Sequence, residues 1–132
     1  MSTKQVITAI LLSTAIVVHA AEYMPYPEAK ITEEQWQSYA DEVSREFHAS
    51  ERMYPDQHLK TYSDDVSRMS FAFTLPGHPA HPAWITRQVV EENGSIDLRQ
   101  IGYFAGEEEP FAELFSQYQE LTQRTRQQFR RE

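Results

Sequence analysis

A stripe of apolar residues at helical spacing begins shortly after Thr32. Its members are Trp36, Tyr39, Val43 and Phe47. Thr32 is a favoured N-cap residue, and Gln35 three positions later completes a capping box. Proline cannot continue a helix, so Pro55 sets an outer limit. The pattern predicts a first helix over residues 33–51, and the proline-containing stretch 21–30 before it is expected to be an extended leader.

Residues 69–75 alternate between apolar side chains and small or polar ones. The apolar members are Met69, Phe71, Phe73 and Leu75. A period of two is typical of a strand with one buried face. Pro76 and Gly77 end this strand, and a proline-rich loop follows over residues 76–82. Residues 54–67 carry no clear period and predict neither a helix nor a strand.

A β-hairpin is predicted around Asn93 and Gly94. These two residues tolerate the positive φ angles of a tight turn, and residues 83–92 before them are rich in strand-forming side chains. Residues 95–104 form the returning strand. Its apolar residues do not keep to one face: Ile96 and Leu98 share one face of the strand, and Ile101 and Tyr103 share the other. We therefore expect a β-bulge near residues 99–100 that bends the strand.

A second amphipathic helix closes the chain. Gly106 ends the strand, and three glutamates with Pro110 have the composition of a helix N-terminus. The apolar stripe that follows is Phe111, Leu114, Phe115, Tyr118 and Leu121. The element order is helix, three strands, helix. It predicts an α+β fold with two layers, in which both helices cover one face of a three-stranded antiparallel sheet.

Residues 1–20 have the pattern of a secretory signal peptide. Lys4 precedes a mostly apolar run over residues 6–18, and Val18 and Ala20 supply the small residues that a signal peptidase recognises. The run is shorter than the ~20 apolar residues of a membrane span. We expect cleavage after Ala20, a single small domain over residues 21–132, no membrane insertion after cleavage, and a periplasmic or secreted location.

The charge of the chain is strongly negative. The formal net charge is −8, and removing residues 1–20 takes it to −9 because Lys4 is their one charged side chain. A field of this sign repels nucleic acid and favours either plain solubility or a basic partner. The absence of cysteine from the sequence excludes disulfides and thiolate metal sites. No cofactor is expected.

The sequence contains no recognisable catalytic motif, which makes an enzyme the less favoured interpretation. His78 and His81 could together bind Zn²⁺ or Cu²⁺, but prolines around them favour an extended loop that would hold the two rings apart. We therefore predict no metal site and keep a histidine-based metal-binding protein as the first alternative. A hydrolase, with the Asp64–Asp65 pair near His58, is the weaker alternative.

The remaining candidates are binding surfaces. Asp41, Glu42 and Glu46 form an acidic face on the first helix. Tyr54, Tyr62 and Trp84 are expected to flank loops, where aromatic residues often anchor partners. These features predict a small exported, non-catalytic binding or accessory protein, such as an inhibitor or immunity-type factor for a basic envelope protein.

Overall fold

The computed structural model describes residues 21–131, which form one antiparallel sheet and two long helices. The helices are α1 (Glu33–Glu46) and α2 (Glu108–Arg131). The strands are β1 (Arg52–Tyr54), β2 (Leu59–Asp64), β3 (Met69–Thr74), β4 (Ala83–Glu92) and β5 (Ser95–Phe104). Spatial order follows chain order, β1-β2-β3-β4-β5, as in a simple meander. The α+β class is confirmed, but the sheet has five strands and not three.

The predicted signal peptide lies outside the described residues. Within residues 21–131, neither helix combines the length and the hydrophobicity that a membrane crossing would require.

The two strands missing from the prediction lie between the predicted end of the first helix at residue 51 and the predicted strand that begins at Met69. β1 is short and wholly exposed, so it carries no apolar pattern. β2 buries Leu59 and Tyr62, which are three positions apart and therefore belong to opposite faces of the strand. Strand β2 pairs with β3 in antiparallel orientation, and Thr61 lies opposite Ala72 in the middle of that pairing.

The two helices pack on opposite faces of the sheet. On one face, the ring of Trp84 stacks on Tyr39 of α1 with 4.4 Å between centroids. The next residue, Ile85, points to the other face and packs in the cluster that contains Phe111 of α2. The expectation of two layers with one covered face is therefore wrong, because the sheet is the middle of three layers.

Burial on both faces also explains why the bulge near residues 99–100 is absent. β4 and β5 pair without interruption from Ala83↔Phe104 to Glu92↔Ser95. Tyr103 belongs to the α1 face and Phe104 to the α2 face, so apolar residues are needed at successive positions. The hairpin itself is confirmed, with Asn93 at φ 52° and Gly94 at φ 80°.

The start of α1 is confirmed and its end is not. Thr32 Oγ1 accepts a hydrogen bond from Gln35 N–H at 3.0 Å, and Gln35 Oε1 accepts one from Thr32 N–H at 2.9 Å, which is the predicted capping box. The helix stops at Glu46, five residues earlier than expected, and a single 3₁₀ turn (His48–Ser50) carries the chain to β1. The Phe47 ring after the helix stacks on Phe71 at 5.7 Å, which fixes the exit of the chain against the sheet.

Residues 21–31 are not a free leader, because they pack against β5 and α1. Ala29 O accepts a hydrogen bond from Phe104 N–H, and Ile31 N–H donates to Phe104 O, both at 2.9 Å. The Tyr103 hydroxyl donates to the carbonyl of Tyr26 at 2.7 Å. This segment, together with α1 and the aromatic face of the sheet, forms the larger of the two core clusters.

Candidate functional site

A concave surface lies between residues 21–26 and α1. The hydroxyl of Tyr39 donates to the carbonyl of Glu22, and the hydroxyl of Tyr26 donates to the carbonyl of Gln35 at 3.2 Å. These bonds hold the segment at a fixed distance from the helix. The resulting cleft has a volume of about 610 Å³. Its lining residues are Glu22, Pro25, Tyr26, Tyr39, Glu42, Arg45 and Glu46, and we call it the acidic cleft.

Three carboxylates and one guanidinium give the acidic cleft its charge. Arg45 lies beside Glu42 and Glu46, yet the ion pair found in the described part of the chain is elsewhere, between Arg126 and Asp97. Burial raises the pKa of Tyr39, and the nearby carboxylate of Glu42 raises it further. Burial and Glu42 raise the pKa of Tyr26 in the same sense. Both tyrosines therefore stay neutral at physiological pH, and the negative potential of the cleft comes from its glutamates.

Two of the three predicted acidic residues belong to this cleft. Glu42 and Glu46, one helical turn apart, line its floor, whereas Asp41 points into a neighbouring pocket of about 260 Å³ with Trp36 and Lys60. Glu22 and Tyr26 complete the cleft. The sequence interpretation missed Glu22 because it treated residues 21–30 as extended, although the tyrosines in that segment hinted that it could pack.

Two of the three predicted aromatic anchors are buried. Trp84 is fully buried and Tyr62 is 2% exposed, so neither ring can meet a partner. Both belong to the face of the sheet that α1 covers. Tyr54 on β1 is the exception, with 41% of its surface exposed. Tyr54 pairs with Leu59, which lies on the opposite face of β2 from Tyr62. Tyr54 is therefore on the α2 face of the sheet, away from the acidic cleft.

The histidine loop is folded rather than extended. His78 N–H donates to Leu75 O at 3.1 Å and His81 N–H donates to His78 O at 3.0 Å, so two successive turns replace the expected polyproline conformation. The ring of His81 packs edge-on against Trp36 at 5.2 Å. Burial lowers the pKa of both imidazoles, and His58 adds to the effect on His78.

Both imidazoles have one nitrogen engaged within the protein. Nδ1 of His78 accepts a hydrogen bond from Ala80 N–H at 2.9 Å, and Nδ1 of His81 lies 2.8 Å from Thr74 Oγ1. Across residues 21–131, no three His, Asp or Glu side chains are grouped so that they could hold a metal ion. No observation on this loop favours the metal alternative.

The contact between the Thr74 hydroxyl and the His81 imidazole does not make that hydroxyl a catalytic nucleophile. Thr74 is 1% exposed, and its hydroxyl also accepts a hydrogen bond from Ala83 N–H at 2.9 Å. A nucleophilic hydroxyl needs access to substrate, which this burial denies. The carboxylate of Asp64 is engaged in the turn after β2, where it accepts hydrogen bonds from the backbone of Val66 and Ser67. The hydrolase alternative therefore gains no support from these residues.

No known protein family, curated protein or solved structure gives a significant match to this chain.

Proposed function

We propose that this protein is a small exported, non-catalytic binding protein that captures a basic protein partner through the acidic cleft. The observation that carries the proposal is the gathering of Glu22, Glu42 and Glu46 around one open cleft of about 610 Å³. A lysine or arginine side chain of a partner is the group that such a cleft accommodates best. The periplasmic or secreted location rests on the sequence pattern of residues 1–20.

The charge of the whole chain supports the same partner. With a net charge of −8, the field of the protein attracts basic molecules over a distance. Complementary charge acts mainly on the rate of association, which it can raise by one or more decades at low salt. An inhibitor or immunity-type factor for a basic envelope protein is a function that benefits from fast capture.

Affinity has to come from more than one ion pair. An exposed ion pair contributes about 0–1 kcal/mol, because solvent and salt screen it. The acidic cleft offers three carboxylates together with the ring of Tyr26, which is partly exposed and can pack against the aliphatic stem of a basic side chain. We therefore expect a tight complex to place several basic residues along α1.

The test is a comparison of two charge reversals of equal size. Immobilised protein is used to isolate a stoichiometric partner from periplasmic extract, and association rates are then measured at several salt concentrations. Glu42→Lys/Glu46→Lys should slow association by roughly tenfold. Glu113→Lys/Glu120→Lys makes the same change of net charge on exposed positions of α2 and should have a much smaller effect.

Equal slowing by both pairs of reversals would mean that only the net charge matters and that the acidic cleft has no special part. Failure to isolate any stoichiometric partner, or an association rate indifferent to salt, would contradict the proposed function.

A further inference from the structure

Helix α2 covers only half of its face of the sheet, because it packs on β5 and β4. On the open half, which β1, β2 and β3 form, Leu59, Ala72 and Thr74 are still buried, whereas Arg52 is exposed and Thr61 and Ser70 are partly exposed. The register brings Arg52, Thr61 and Ala72 side by side across β1, β2 and β3 on that open half. Arg87 of β4 stands next to Ser70 of β3 at the boundary with α2.

A groove of about 220 Å³ runs between this open half and α2. We call it the arginine groove and define it by Arg52, Thr61, Ser70, Arg87 and Tyr118. No aspartate or glutamate lines it, although the chain has 20 acidic residues against 12 basic ones. Asp64 and Asp65 line the next depression along the sheet together with Arg68, and Ser70 and Arg87 border both this depression and the arginine groove.

Arg87 is the central charge of the arginine groove. Its guanidinium lies over the ring of Tyr118, 5.5 Å from the centroid, and makes no ion pair with any carboxylate of the described residues. Burial lowers the pKa of Arg87, and Tyr118 is the neighbour that partly offsets this. A half-buried cation without an anion is costly, so its surroundings favour a negatively charged ligand.

Each of the two arginines has a hydroxyl residue as its partner on the neighbouring strand, Thr61 for Arg52 and Ser70 for Arg87. Thr61 and Ser70 are partly exposed, and their side-chain oxygens make no hydrogen bond to other described residues. A hydroxyl can donate to an oxyanion while a guanidinium binds it through two parallel N–H groups. The floor of the groove therefore combines fixed positive charge with unused donors.

We propose that the arginine groove binds an oxyanion, a phosphate or carboxylate group, held by Arg87 and Arg52 with Thr61 and Ser70 as further donors. A volume of about 220 Å³ suits a compact anion better than an extended ligand, because drug-sized molecules occupy roughly 300–1,000 Å³. The site is separate from the acidic cleft, since the two lie on opposite faces of the sheet. It does not depend on the proposed function.

The experiment is a titration of isotope-labelled protein with inorganic phosphate and, separately, with malonate, followed by backbone amide chemical shifts at low ionic strength. We expect saturable shifts at Thr61, Ser70 and Arg87. Stronger binding of phosphate would identify a phosphate-type ligand, and stronger binding of malonate a carboxylate. Arg87→Gln should weaken binding roughly tenfold or more, the loss expected when one charged donor is removed.

Two further variants keep the result interpretable. Arg52→Gln changes an exposed residue that cannot disturb the core, and it should weaken binding in the same direction. Arg45→Gln removes the same charge from α1 on the other side of the sheet and should leave binding unchanged. Equal weakening in Arg45→Gln would overturn the proposal, as would wild-type binding in both Arg87→Gln and Arg52→Gln. Shifts that do not saturate by about 10 mM of either anion would overturn it too.

Discussion

Gly102 of β5 lies directly against the ring of Phe111 on α2, and replacing it by alanine tests the three-layer packing. A Cβ atom at this position would lie 2.8 Å from Cζ of Phe111 and 2.9 Å from Cδ1 of Ile85. Contacts this short require both side chains to move. Phe111 has little room to do so, because its ring already stacks on Phe104 with 4.6 Å between centroids.

Two opposing effects set the size of the change. Overpacking a well-filled core costs about 1–3 kcal/mol. Replacing glycine by alanine where the backbone permits it stabilises a protein by about 0.4–1 kcal/mol, chiefly by restricting the unfolded chain. Gly102 does not need a positive φ angle, so this second effect applies. We therefore expect Gly102→Ala to lower the free energy of unfolding by about 1–2 kcal/mol.

Urea unfolding followed by tryptophan fluorescence measures this loss. The same substitution is then made in a Phe111→Leu background, where the shorter side chain removes the clash with residue 111 and leaves that with Ile85, so Gly102→Ala should cost less. Gly94→Ala is the control: no atom lies within 4 Å of its Cβ position, and its cost comes from the positive φ of the turn. That cost should be the same in both backgrounds. If Gly102→Ala changed stability by under about 0.5 kcal/mol in both, Phe111 could not be packed on Gly102.

Two further predictions concern α1 and the histidine loop. Thr32→Ala should lower the free energy of unfolding by about 1 kcal/mol, because it removes the capping box. Thr32→Ser keeps the hydroxyl and should change the free energy of unfolding, measured in urea, by only about 0.2–0.3 kcal/mol. Equal losses in the two variants would show that the cap contributes nothing. Burial lowers the pKa of His81, so the unfolded chain binds the proton more tightly than the folded one. Stability should therefore be level above about pH 7 and fall as the pH drops through 6.5, the ordinary value, toward the folded pKa. His81→Gln should make that fall shallower in unfolding curves collected across this range, and an unchanged slope would contradict the assignment to His81.

The parts of the fold that sequence reasoning predicted are those whose signals are local. The capping box at Thr32 and the turn at Asn93 and Gly94 each depend on a few neighbouring residues, and both are present. The number of strands and the number of layers depend on long-range packing. β1 and β2 lack an alternating pattern, because β1 is exposed and β2 is buried on both sides.

The candidate sites show the same division. The acidic face of α1 follows from residue type and helical spacing, so the sequence alone predicts Glu42 and Glu46 as candidates, and both line the acidic cleft. Glu22 reaches the acidic cleft only because the hydroxyl of Tyr39 binds its carbonyl, a contact between residues 17 positions apart. Arg87 looks like an ordinary polar position of a strand, and nothing in its neighbours along the chain indicates that α2 stops short of covering β3.

The ion pair between Arg126 and Asp97 has a consequence for how molecules of this protein meet one another. An outer strand such as β5 presents unpaired backbone groups that can add a strand from another molecule. At Leu98, Asp97 Oδ1 accepts from the outward N–H at 2.8 Å, and Arg126 donates to the outward carbonyl at 2.6 Å. At Phe104, residues 29 and 31 occupy the same two groups. The pair contributes little to stability, but together with the N-terminal segment it occupies the outward backbone groups at two positions of the β5 edge, which hinders the addition of a strand from another molecule there.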